Sequence, residues 1–180
     1  SSILPDKSWK LGNVGEAWFV GDTINIGIGQ GYITITPLQL ALSVSAIATK
    51  GKIYKPKLVQ LLGKEEIKPE LLFEVDLRDE ENWKIIEQSM ISVISSWNGT
   101  AHNLYTEGGL KIAGKTGTAQ IKSLVDQELT VKEEYEGIRA VEKNRDHALF
   151  VCYGPIPNPN LTVVVVVENG ESGSSVAAPI

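Results

Sequence analysis

The sequence predicts an α/β chain of the α+β type, an antiparallel sheet covered by helices on both faces, and three observations carry that expectation. Apolar residues recur at helical spacing in two segments, one within 36–51 and one within 79–99. Three extended runs follow, and prolines at 155, 157 and 159 make the connection between the last two tight, as an antiparallel hairpin requires. Five consecutive valines, 163–167, then call for cover on both faces of that sheet.

Taken in order, the first 36 residues are rich in glycine and read as loop or irregular extended chain. Gly27-Ile28-Gly29-Gln30-Gly31 invites comparison with a phosphate loop. No Gly-Lys-Ser/Thr closes it, however, and Tyr32 stands where a dinucleotide fingerprint needs a third glycine, which argues against a nucleotide site. Thr36-Pro37-Leu38-Gln39 is a capping box with proline at the first helical position, so a helix starts there. It runs through Ala48, apolar almost all round, and ends at Lys50-Gly51, which predicts a buried scaffold helix.

Residues 52–62 have the content of one or two short strands. Asp79-Glu80-Glu81 places negative charge at the start of a second helix. Its expected core stripe is Trp83, Ile86, Met90, Ile94 and Trp97, and Asn98-Gly99 ends it. The three strands are expected at 110–120, 147–154 and 161–168. Between the first two, residues 121–145 hold six acidic and five basic side chains with little periodicity, a solvated excursion or, less simply, a lid over a cleft.

Composition narrows the function. A chain of 180 residues with 42% hydrophobic and 22% charged residues supports a packed core. A net charge of -5 without a basic cluster argues against nucleic acid as a partner. The single cysteine, Cys152, cannot form an internal disulfide and reads as a small buried hydrophobe. His102 and His147 read as structural, and no His, Cys and carboxylate grouping has metal-ligand spacing, so neither metal nor cofactor is expected. The longest apolar run is far shorter than the roughly 20 residues that span a bilayer. No signal peptide is visible at Ser1, and both ends read as cut.

The chemistry concentrates at Lys115-Thr116-Gly117-Thr118, inside the first late strand. A cation, two hydroxyls and a backbone without Cβ suit the grip of a carboxylate and an oxyanion. Alternation sends Lys115 and Thr116 to opposite faces of an ideal strand, so a clamp using both must present the strand's rim beside a cleft. There the strand's unpaired amides can take an extended peptide as an added strand, with a backbone amide near Thr118 serving an oxyanion. A lysine charge roughly 4 Å from a carboxylate contributes about 4 kcal/mol at an effective dielectric near 20, before desolvation. Bond-making needs a nucleophile as well, and no serine in the chain is followed three positions later by lysine.

Gly21-Asp22-Thr23, 27–32, Thr36-Pro37-Leu38-Gln39, Asn98-Gly99-Thr100-Ala101-His102, 113–120, Arg145-Asp146-His147 and Glu168-Asn169-Gly170 occur in the order seen in class B penicillin-binding proteins, and the chain resembles that family over nearly its whole length. The resemblance implies the C-terminal portion of a penicillin-binding/serine β-lactamase-like transpeptidase fold, residues 1–180 being part of one domain whose nucleophile-bearing N-terminal part is absent. It implies a peptidoglycan D,D-transpeptidase that acts through an acyl-serine on D-Ala-D-Ala stem peptides and is acylated by β-lactams. A D,D-carboxypeptidase, a β-lactamase and a non-catalytic penicillin-sensing or interaction module are the alternatives.

By the same resemblance Lys115 and Thr118 have catalytic roles, and Lys115, Thr116, Gly117, Thr118 and Gln120 line the substrate groove. Ser96-Trp97-Asn98 matches the family's second motif by letter only and is read as coincidence. The implied partners are stem peptides, β-lactams, the missing N-terminal half and the glycan polymerase of the elongation machinery. The implied place is the periplasmic face of the bacterial inner membrane, with the anchor outside this chain.

Overall fold

The computed structural model describes residues 2–119 and 145–180, which fall into two compact units, Ser1–Gln39 and Leu40–Ile180. The first unit corrects the expectation of loop. It contains helices α1 (Lys7–Asn13) and α2 (Val20–Gly27). Asp6 caps α1 by accepting the Trp9 N–H at 2.7 Å, and Asp22 accepts the Phe19 N–H at 2.7 Å at the start of α2.

Lys10 then joins the two helices. Its side chain is only 3% exposed, its Nζ donates to Asp22 Oδ2 at 2.8 Å, and it lies 4.7 Å from the centroid of the Phe19 ring. The paired carboxylate pushes the lysine's pKa up, and the lysine and the Phe19 N–H hold Asp22 below the usual carboxylate range. Short helices held through the ion pairs of Lys10 leave no apolar period to read, and the glycines around them suggested loop.

Helix α3 (Pro37–Ala48) starts at the expected box. Thr36 N donates to Gln39 Oε1 at 2.9 Å and Gln39 N to Thr36 Oγ1 at 3.2 Å. It gives way to Lys50 and Gly51, both at positive φ. Its burial is narrower than expected, because only Val44 and Ala46 are fully covered and Leu38 is exposed.

The strands β1 (Lys52–Tyr54) and β2 (Leu61–Leu62) match the expected pair, but each has an unforeseen partner. β2 forms a hairpin with β3 (Glu65–Glu66), and β1 pairs antiparallel with β4 (Leu71–Glu74). Charged residues and exposed leucines alternate too weakly there to announce strands.

Helix α4 (Glu81–Ser95) buries Trp83, Met90, Ile91 and Ile94. Ile86, at 39% exposure, and Trp97, at 86%, leave the expected stripe. The covered face follows positions 83, 90, 91 and 94, and the helix stops before Trp97.

The second unit centres on a three-stranded antiparallel sheet in the order β5-β6-β7, with β5 at Ala113–Ala119, β6 at His147–Gly154 and β7 at Leu161–Val167. Seven consecutive pairs, Ala113↔Tyr153 to Ala119↔His147, join β5 to β6, and seven more, Ala148↔Val167 to Gly154↔Leu161, join β6 to β7. β5 begins three residues later than expected, because Thr106 to Gly109 form a turn before it.

Alternation gives the sheet two cores. Ala113, Val151 and Tyr153 meet Val44 of α3 with Met90 and Ile91 of α4, while Ala148 and Phe150 meet Ile94, Ala101, Ala177 and Ala178. A π-helical turn, Gly173–Ala177, supplies the second face. β7 is covered on both faces only in part: Val164 packs on the first core and Val165 and Val167 on the second, while Val163 and Val166 remain exposed on what is, among the described residues, an outer strand.

Candidate active site

β5 presents Lys115, Thr116, Gly117 and Thr118 on an edge of the sheet, because among the described residues it pairs with β6 alone. Thr116 and Thr118, opposite Phe150 and Ala148, share one face. Lys115 and Gly117, opposite Val151 and Leu149, share the other. The lysine nevertheless reaches the rim: its Nζ donates to the Thr116 carbonyl at 2.6 Å. Lys115 and Thr118 are exposed, and Thr116 and Gly117 are half-buried. Gln120 and residues 121–144 of the 121–145 excursion lie outside the described residues.

Two further segments meet this strand. Thr100, in the turn after α4, brings its Oγ1 within 3.0 Å of Thr116 Oγ1. On the other side Thr118 Oγ1 donates to the Glu171 carbonyl at 3.5 Å. That carbonyl belongs to a bracing loop. Asn169 N donates to His147 Nδ1 at 3.0 Å, Asn169 Nδ2 to the Arg145 carbonyl at 3.0 Å, and Arg145 Nε lies 3.2 Å from Glu171 Oε1. The motifs 145–147 and 168–170 are thus two sides of one brace.

Gly173 completes the brace. A Cβ there would overlap the Leu149 carbonyl and come within 2.5 Å of the Gly117 carbonyl, so only glycine lets the C-terminal turn lie on the β5-β6 ladder. Sequence reasoning missed Thr100, Glu171 and Gly173 as neighbours of the site. Thr100 and Glu171 lay in or beside singled-out motifs, but nothing in their spacing shows which strand they reach.

The remaining chemical candidates have structural duties. His102 Nδ1 donates to the Ile94 carbonyl at 3.1 Å, and its ring stacks on Tyr105 with centroids 5.5 Å apart. Ser96 is the C-cap of α4, donating its N–H to the Ser92 carbonyl. Burial pushes the Cys152 thiol up, away from the reactive thiolate. Burial, with Glu87 adding, pushes Tyr153 up to about 12. Among the described residues no three His, Cys, Asp or Glu side chains gather to hold a metal, and no helix is long and apolar enough to cross a membrane.

Residues 4–180 match the family described as the penicillin binding protein transpeptidase domain. The chain is 35% identical over 181 residues to the peptidoglycan D,D-transpeptidase MrdA of Haemophilus influenzae, covering 98% of this chain and 27% of that protein. Among solved structures it is similar to Pseudomonas aeruginosa PBP2 in complex with WCK 5153, with a TM-score of 0.79, 37% identity, and coverage of 99% of this chain and 36% of that one. A peptidoglycan synthase complex that coordinates polymerization and crosslinking contains another similar chain, with a TM-score of 0.77, 31% identity, and coverage of 99% and 27%. The chain therefore spans about a third or less of the relatives it matches.

Proposed function

The chain belongs to the penicillin-binding protein transpeptidase family, and from that membership we propose that it forms one wall of the active site of a peptidoglycan D,D-transpeptidase. In this reading residues 1–180 are the C-terminal part of a single transpeptidase domain, and the serine nucleophile with its lysine comes from an earlier part of the same domain.

The serine oxygen attacks the carbonyl carbon of the D-Ala-D-Ala peptide bond. Terminal D-alanine leaves with a proton, and the amine of a neighbouring stem peptide then displaces the serine to form the cross-link. β-Lactams acylate the same serine. Thr116 and Thr118 bind the substrate carboxylate, and Lys115 supplies the positive field and orients the serine of the family's second motif. Gly117 lets the substrate backbone approach, the Thr118 N–H donates to the oxyanion, and Gln120 continues the groove. An oxyanion donor of this kind contributes roughly 2.7–4 kcal/mol to the transition state.

The observation that carries this reading is the edge strand itself, with two hydroxyls on one face and an ammonium turned to its rim. The transpeptidase name of the curated relative favours cross-linking over the carboxypeptidase, β-lactamase and non-catalytic readings. The synthase complex supports a glycan polymerase as partner, and a cell-wall substrate supports work outside the cytoplasm, which in this reading is done at the periplasmic face of the inner membrane. A fluorescent penicillin should label the full-length protein and leave residues 1–180 alone unlabelled. Covalent label on the short chain would defeat the division of the site.

A further inference from the structure

We infer that Thr100 is a positioning residue for the substrate carboxylate, acting through the Thr116 hydroxyl; the inference rests on the transpeptidase reading above. The turn that carries Thr100 is tied closely to α4. A Cβ on Gly99 would overlap the Val93 carbonyl and lie 2.6 Å from the Ser92 carbonyl, so this position needs glycine. Gly99 N donates to the Ser96 carbonyl at 2.8 Å and Ala101 N to the Val93 carbonyl at 3.0 Å. Ala101 is fully buried in the second core, and His102 reaches back to Ile94. With its neighbours on both sides held against the helix, Thr100 sends its hydroxyl across to β5, 3.0 Å from that of Thr116. The Asn98-Gly99-Thr100-Ala101-His102 motif thereby acquires a purpose that neither the nucleophile nor the substrate strand explains.

The direction of the hydrogen bonds gives the mechanism. A hydroxyl has one proton to donate and two lone pairs to accept with. When Thr116 donates its proton to a carboxylate, its oxygen is free to accept, and Thr100 supplies that proton. The chain Thr100 O–H, Thr116 O–H, carboxylate is then aligned and mutually polarised. Thr118 must first give up the Glu171 carbonyl, to which its hydroxyl donates at 3.5 Å, before it can donate to the carboxylate. Of the two threonines facing the carboxylate, Thr116 is the one oriented in advance.

The test uses full-length protein and the second-order rate constant of acylation by a fluorescent penicillin. Thr100→Val keeps the branched shape and removes the hydroxyl, and it should slow acylation about tenfold, the cost of one lost hydroxyl hydrogen bond. Thr100→Ser should restore most of the rate. In a Thr116→Val background, Thr100→Val should add no further loss, because the two act as one unit. Parent-like acylation by Thr100→Val overturns the inference, as does an equal loss in both backgrounds. A matching fall in melting temperature that Thr100→Ser fails to relieve overturns it too. If the parent takes up no label, the transpeptidase reading itself fails, and this inference with it; parent labelling with an unaffected Thr100→Val defeats the inference alone.

Discussion

The Lys115 ammonium donates to a carbonyl of its own strand, 2.6 Å away at Thr116, while its side chain stays exposed. A charge held this way adds little to stability, since that bond can be replaced by water. Lys115→Ala in the full-length protein should therefore leave the melting temperature within about 2 °C, a change below roughly 0.5 kcal/mol. Acylation should slow by about 100-fold, as expected when a charge aimed at the reacting centre is removed. Unchanged acylation with a native melting curve would take Lys115 out of the mechanism. At this scale the sequence was informative about residue type and silent about company. Lys-Thr-Gly-Thr could be read directly, but that Thr100 meets Thr116 depends on how tightly a turn folds onto α4, and no local pattern encodes it.

Elements were legible wherever apolar period and capping chemistry agree. Helix α3 starts at its Thr36-Gln39 box, and β6 occupies the expected 147–154, because a six-residue apolar run, 148–153, with prolines after it admits little else. The helices α1 and α2 escaped for the opposite reason: a buried ion pair holds them, and charge partners 12 residues apart leave no period. Their stability should accordingly follow pH. Asp22 has a lowered pKa, so its contribution is complete above the ordinary value of 3.8 and is lost as the pH falls through the lower folded-state value. Lys10 has a raised pKa, so its contribution is complete below the ordinary 10.5 and is lost as the pH rises through the higher folded-state value. The fluorescence of Trp9 and Trp18 should be flat between these limits and change beyond both. Lys10→Met should destabilise this unit at pH 7, and the difference from the parent should narrow as Asp22 becomes protonated; a gap independent of pH would show that packing, not charge, joins the helices.

For the molecule as a whole, the sheet order governs what is held firmly. β6 lies between β5 and β7, so its amides are committed to one ladder or the other, whereas among the described residues β5 commits only those that face β6. Apolar side chains at Leu58, Leu61, Leu62, Leu71, Leu72 and Phe73 are exposed, so the chain's 42% hydrophobic content is only partly gathered around the sheet. Order is therefore expected to fall away from β6 outward. In amide hydrogen exchange, the slowest protons should cluster on β6, and alternate amides of β5 should exchange early until a ligand lies along that strand. Uniform protection of β5 in the free protein would contradict the open edge. On the proposed reading β5 is the substrate strand and is softer than its neighbour β6, so a peptide or β-lactam arriving there would contribute part of the rigidity that the free sheet leaves unfinished.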